Sequence, residues 1–406
     1  MTEQILTEEK KQINARGLPQ VTLAFLTFIL IGMNDGAFGV LIPSLQSHYG
    51  IDKATVGYLF MAGTLGYLIA AFTSGMLVEK LGQRLFLIVG AGVFVAGALI
   101  FSQKVPFPVV VLGPMLLGYG VGSVDAGLNS YIARLPSNTK LLNYLHAFYG
   151  VGALLGPIVA SSFLAFGWDW SNVYLVWLGI SLLLIVGFYF VYPATSPYAH
   201  EPHETSGNIM REAMRLRVVW LAAAFLLFYV GTEVSLGNWG FSFLTQERHE
   251  QELLSGWAIS GYWFGLTVGR FLLGRVAEKI GNKRLIEGCL GGVVIGVLLI
   301  WLVPLGAISA LGLWVVGFSL GPIFPTTIAL LPGLVPSRLL STAIGFLASL
   351  GSMGAAFFPW LAGNLAQAFG LWTLMPFVVI LTAVMLGVWL TLNSSKITKM
   401  RVENAN

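Results

Sequence analysis

Asp35, Asp125, Glu233 and His146 interrupt stretches of chain that are otherwise almost wholly apolar. An ionisable group in such a stretch is expensive to keep and is by default a functional candidate. A carboxylate there can take up and release a proton as its surroundings change, or hold a sodium ion through its oxygens. Proton and sodium coupling therefore both stand open. So does the plainer reading, in which these groups hold helices together through buried hydrogen bonds. Asp125 and Asn129 are four residues apart and share a helix face. His146 follows a short loop and can approach Asp125 from the next helix. Arg270 lies near the end of its apolar stretch, where it can snorkel or pair with a carboxylate, and a structural role is expected.

A second group suits recognition of a small polar solute. Asn34, Phe38, Asn129, Tyr149, Asn238, Trp239, Trp263 and Trp314 combine amides with aromatic rings, the pairing that hydrogen-bonds sugar hydroxyls and stacks on apolar sugar faces. Trp and Tyr also favour membrane interfaces and helix packing, the reading adopted for Trp168 and Trp170. His200 and His203 lack the spacing of a metal site, and no metal or cofactor is expected. No His-Glu-x-x-His, Gly-x-Ser-x-Gly or P-loop pattern occurs, so neither hydrolysis nor ATP drive has residues to carry it.

The elements that must position these groups follow from composition. Of 406 residues, 56% are hydrophobic and 10% charged, too few charges for a water-facing surface. The apolar runs approach the roughly 20 residues that cross a bilayer, and in lipid such runs must be helices. Twelve spans are predicted, at 19–44, 55–79, 84–102, 107–133, 142–167, 171–193, 218–244, 254–278, 285–304, 307–331, 339–365 and 371–393. The expected architecture is an all-α integral membrane protein with two pseudo-symmetric six-helix bundles, 19–193 and 218–393. A cytoplasmic N-terminal segment (1–18), a cytoplasmic linker (194–217) and a cytoplasmic tail (394–406) complete it. Of 22 Lys and Arg, Lys53, Lys104 and Arg248 fall on one side, Arg270 lies in a span, and the other 18 fall on the opposite side. The positive-inside rule then places both termini in the cytoplasm of a cell membrane. The basic residues thereby find their explanation in topology, and no nucleic-acid partner is expected. Membrane lipid and a small-molecule substrate are the expected partners of a monomer.

The chain repeats itself. Gly75-Met-Leu-Val-Glu79-Lys80-Leu-Gly82-Gln-Arg84 recurs as Gly274-Arg-Val-Ala-Glu278-Lys279-Ile-Gly281-Asn-Lys283-Arg284, displaced by 199 residues, and Gly118 and Gly122 recur as Gly317 and Gly321 at the same displacement. A membrane repeat of this size is what a two-bundle rocking carrier requires, with its substrate held between the halves. Both loops resemble the major facilitator signature Gly-x-x-x-Asp-Arg-x-Gly-Arg-Lys/Arg, with Glu79 and Glu278 at the acidic position. That resemblance implies a gating role for Gly75, Glu79, Gly82, Arg84, Gly274, Glu278, Gly281 and Arg284. Topology alone also explains the basic members.

Three further segments, Asn34-Asp35-Gly36-Ala-Phe-Gly39, Leu145-His146-Ala-Phe-Tyr-Gly150-Val-Gly-Ala-Leu-Leu-Gly156-Pro157 and Tyr229-Val-Gly231-Thr-Glu233-Val-Ser-Leu-Gly-Asn-Trp239, look like the fucose-permease-like branch of that superfamily, which includes the bypass-of-stop-codon type. The resemblance implies uptake of a sugar or related compound with a proton or sodium ion. Gly152-Ala-Leu-Leu-Gly156-Pro157 also resembles the glycine-proline motif of exporters, which keeps proton-driven efflux of amphiphilic compounds as the alternative. Cysteines placed at 80 and 279 are expected to react with an impermeant thiol reagent only from the cytoplasmic side. Reaction from outside would reverse the topology.

Overall fold

The computed structural model describes residues 2–133, 135, 138–193 and 207–393. Within them α1 is Thr2–Tyr49, and the element Lys53–Ser102 is interrupted at Gly82, giving α2 (53–81) and α3 (83–102). After the short turn Phe107–Val110 come α4 Leu112–Ala133, α5 Asn138–Ala165 and α6 Ser171–Val191. The second half comprises α7 Arg217–Ser242, continued by a π-helical turn Phe243–Glu247, then α8 Glu252–Ile280 and α9 Asn282–Leu302. It closes with α10 Gly306–Leu320 and its continuation Ile323–Leu330, α11 Leu340–Phe369, and α12 Leu374–Leu392. These are the twelve expected membrane helices. Ten stretches qualify as spans by length and hydropathy; one of these, Lys53–Ser102, holds two helices, and α8, which carries Arg270, adds the twelfth. α1 runs well beyond the expected 19–44, because the Glu- and Lys-rich segment before it consists of good helix formers.

The turns show the repeat in backbone terms. Gly82 has φ 75° and ψ 161°, and Gly281 has φ 85° and ψ 148°. An L side chain is strained at such positive φ, so the chain reverses on one glycine at α2–α3 and again, 199 residues later, at α8–α9. Asp52 starts α2 by accepting the Thr55 N–H at 2.7 Å.

Helix crossings repeat with the same displacement. A Cβ added at Gly66 of α2 would lie 2.0 Å from the Met115 carbonyl of α4, and one at Gly265 of α8 would lie 2.4 Å from the Trp314 carbonyl of α10. Gly118 against Gly63 is matched by Gly317 against Tyr262, and Gly97 against Leu117 by Gly296 against Val316. Lipid supplies no hydrophobic drive for association, so backbone contact at small residues holds such bundles. Large apolar side chains face outward in keeping with this: Phe72, Leu183 and Phe190 are 81%, 73% and 76% exposed.

The halves meet closely at the end of the bundle remote from the termini. Gly57 of α2 lies against Trp360 of α11, and Gly256 of α8 against Ser161 of α5, a pair of contacts related by the repeat. Gly39 of α1 meets the backbone of Gly237 and Asn238 in α7. The Lys53 amide donates to Gln367 Oε1 at 3.1 Å.

Alanine in place of Gly66 or Gly265 is expected to lower stability by about 1–3 kcal/mol through overpacking. Gly288→Ala, a helical site with open space around it, should be neutral or slightly stabilising. Thermal unfolding in detergent checks this; equal effects at all three sites would remove the crossing argument.

Candidate functional site

Between the halves lies a cavity of about 480 Å³, within the roughly 300–1,000 Å³ of small-molecule sites. Its wall comes from α1, α2, α4 and α5 on one side and α7, α8, α10 and α11 on the other, matching positions in the repeat. Asn34, Asp35 and Phe38 enter from α1, Tyr149 from α5, Glu233 and Asn238 from α7, and Trp263 from α8. Leu59, Phe60, Thr64, Tyr67, Leu117 and Phe324 fill out the lining.

Each membrane carboxylate has a partner. Tyr149 donates its hydroxyl to Asp35 Oδ2 at 3.1 Å, and Asn34 Nδ2 reaches Asp35 Oδ1 at 3.2 Å. Tyr67 donates to Asp125 Oδ2 at 3.1 Å, while Asn129 Nδ2 donates to Asp125 Oδ1 at 2.9 Å. Glu233 Oε1 stands 3.7 Å from Arg270 Nη2, and the Tyr262 hydroxyl donates to the Glu233 carbonyl at 2.8 Å. Arg270 Nε also donates to the Gly321 carbonyl at 3.2 Å. That bond depends on the absence of a side chain at Gly321, where a Cβ would lie 2.8 Å from the Arg270 amide nitrogen.

The charges do not follow the repeat. A displacement of 199 residues takes Asp35 to Val234, Asp125 to Phe324, Tyr149 to Ala348 and Ala71 to Arg270. The duplicated backbone forms one cavity with two electrostatically different sides: Asp35 and Tyr149 on the first wall with Asp125 behind Tyr67, and Glu233 on the second wall with Arg270 behind it.

Other expected site residues lie elsewhere. Asp125, Asn129 beside it and Arg270 stand outside the cavity lining, reached from it through Tyr67 and Glu233. Trp239 is fully buried at the closed end, its indole N–H donating to the Pro359 carbonyl at 2.8 Å and its ring edge-on to Phe60. Trp314 stacks on Phe318 beside the α8 crossing. His146 packs edge-on against Phe28; the expected approach to Asp125 is replaced there by Tyr67. Tyr67 was missed because a tyrosine in an apolar run looks like any interfacial aromatic. Its one available signal was its place four residues beyond Gly63, on a face of small residues.

The loop residues divide as well. Gly82 and Gly281 are the reversal points described above, and Glu79 and Arg284 are exposed. Gly75 meets nothing that a Cβ would touch. Arg84 donates to the Tyr192 carbonyl at 2.6 Å and lies over the Tyr189 ring, which ties the start of α3 to the end of α6. At Gly274 and Glu278 only the helical backbone is described. His200 and His203 lie outside the described residues.

Removing one partner of the Glu233–Arg270 pair leaves the other charge in the membrane. Arg270→Gln is expected to lower stability by about 3 kcal/mol, with the Glu233→Gln/Arg270→Gln double variant recovering a large part. Thermal unfolding of the single and double variants measures this, and strictly additive losses would show that the two groups do not interact.

Comparison with known proteins now adds to this geometry. The Major Facilitator Superfamily profile matches residues 24–249 and again 221–402. Bypass of stop codon protein 6 of Saccharomyces cerevisiae is 26% identical over 390 residues, covering 87% of this chain and 78% of the relative. The glucose/mannose transporter of Bacillus subtilis is 22% identical over 380 residues, covering 90% of each. A bacterial homologue of the human lysosomal transporter Spinster superposes with a TM-score of 0.81 at 12% identity, over 95% of this chain and 98% of that one. With two matched profile segments, twelve helices and a cavity between repeated halves, this chain belongs to the Major Facilitator Superfamily of membrane transporters.

Proposed function

We propose that the protein is a secondary active transporter that moves a small polar solute, a sugar or related compound, by alternating access coupled to a proton or sodium gradient. The observation that carries this reading is the cavity itself, in which Asp35 and Glu233 stand with Asn34 and Asn238 among the rings of Phe38, Phe60 and Trp263. Amides and carboxylates can accept and donate to hydroxyls while rings cover the apolar faces of a sugar. The bacterial relative named for glucose and mannose supports the substrate class.

The carboxylates supply the coupling. A carboxylate in a low-dielectric cavity is neutralised by a proton or a cation arriving from whichever side is open, and ion occupancy then biases the rocking of the halves. Asp35 and Asp125 are the coupling candidates of the first half, each held by a tyrosine hydroxyl. Glu233 is the candidate of the second, with Arg270 as its counter-ion when unloaded. The protein is proposed to sit in the cell membrane as a monomer with both termini cytoplasmic, supported by the concentration of 18 of 22 basic residues on that side. The apolar share of the wall, with Leu59, Leu117, Val121 and Phe324, favours outward transport of an amphiphilic compound as the second reading.

Purified protein in liposomes decides between them. Hexose or deoxyhexose accumulation driven by an imposed proton or sodium gradient is expected, and neutralising Asp35, Asp125 and Glu233 one at a time should abolish concentrative uptake for at least one variant. Unchanged accumulation in all three would remove the carboxylates as coupling sites. Proton-driven movement of drugs without sugar uptake would establish the efflux reading.

A further inference from the structure

Tyr149 occupies a place in the cavity that solute contact alone does not explain. Its hydroxyl donates to Asp35 at 3.1 Å, and it lines the same cavity as Glu233 of the opposite half, which pairs with Arg270. The next residue, Gly150, is where α5 touches α8: a Cβ there would lie 2.4 Å from Thr267 Oγ1, and Arg270 follows Thr267 by three residues on α8. Tyr149 therefore stands at the mid-depth contact between halves, bonded to the carboxylate of one and facing the ion pair of the other.

We infer that Tyr149 is a positioning residue that transmits the protonation state of Asp35 to the Glu233–Arg270 pair. The Tyr149 hydroxyl bonds Asp35 at 3.1 Å, a bond that an ionised carboxylate holds as acceptor. When a proton from cavity water binds Asp35, the carboxyl no longer demands that donor. The hydroxyl then turns to Glu233 and competes with Arg270, loosening an ion pair already held at 3.7 Å. No proton leaves Tyr149; one hydrogen bond is exchanged for another, and the message crosses between halves that share no covalent link at this depth. The inference rests on the proposed proton coupling and adds to it the element through which the first half acts on the second.

Other ionisable groups face this point. On the first half they are Asp125 with Tyr67 from α2, and His146 one turn from Tyr149 on α5. On the second, Tyr229 of α7 lies beside both Glu233 and Arg270 within its own half, and Tyr262 is bonded to the Glu233 carbonyl. Asp125 and Tyr67 satisfy each other, Tyr262 donates to backbone, and His146 packs on Phe28. Among these described contacts Tyr149 is the hydroxyl that bonds a carboxylate of its own half while facing a charge pair of the other.

The test needs no substrate. Spin labels at the exposed positions 80 and 279, which end α2 and α8 on the terminus-bearing side, report the opening of the halves in full-length protein in liposomes; Cys289→Ser removes the single native cysteine. In protein with Tyr149 intact, the ratio of the two distance populations is expected to shift about tenfold between mildly acidic and mildly alkaline pH, within the range of measured couplings. Tyr149→Phe keeps the ring and Asp35, and should reduce that shift to under about twofold, as should Asp35→Asn. The double variant should behave as either single. A Tyr149→Phe protein with the full pH response, or a double variant worse than both singles, would overturn the inference while leaving coupling intact. Distances that ignore pH even with Tyr149 present would remove proton coupling and this inference together. A pH response abolished by Tyr149→Phe in a protein that accumulates no sugar would uphold the inference and dismiss the sugar reading.

Discussion

Backbone-to-backbone contact at glycine crossings is the constraint on which this molecule depends. Inside a bilayer two apolar helices gain little by leaving lipid for each other, so they hold together where their main chains approach closely enough for dispersion and weak carbonyl contacts to accumulate. α2 on α4 at Gly66 and Gly118, and α8 on α10 at Gly265, Gly317 and Gly321, are such places. Each fixes a crossing, and the crossings fix which residues of α1, α5, α7 and α11 are left facing the gap between halves. Close packing within each half and at the remote end leaves the open volume near mid-depth.

Into that volume the chain puts charges its own symmetry does not require. A perfectly duplicated molecule would carry equal groups on both walls. Here the first half holds acids restrained by tyrosine hydroxyls, and the second an acid facing a guanidinium. The difference has a physical use. A hydroxyl bonded to a carboxylate can change partner with little movement when the acid is neutralised, whereas an ion pair resists separation until a competing donor or a bound cation lowers its cost. The two halves therefore respond differently when a proton or a cation arrives.

The comparisons fit this division. The profile matches and the superposition with a Spinster homologue speak for the shared scaffold, and at 12% identity the likeness is one of fold alone.

Much of the scaffold was legible in the sequence. Apolar runs of bilayer length gave twelve helices, and the 199-residue displacement gave two equivalent halves with a recurring loop around Gly82 and Gly281; that the chain reverses on those two glycines came from the structure. Asp35, Asp125 and Glu233 stood out because a charge within an apolar run is legible without knowing any neighbour. Partnership was not legible. A membrane helix apolar on nearly every face has no stripe to reveal its rotation, so sequence spacing could join Asp125 to Asn129 on one helix but could not choose between His146 and Tyr67 on others. For the same reason Trp239 and Trp263, both aromatic and both near the cavity in sequence terms, were equivalent until the crossing of α7 over α11 buried the first against Pro359 and left the second on the wall. Sequence determined which groups the membrane must accommodate, because that cost is local to each residue. Tertiary structure decided which of them meet, because the meeting depends on the rotation and tilt of helices set by contacts far along the chain.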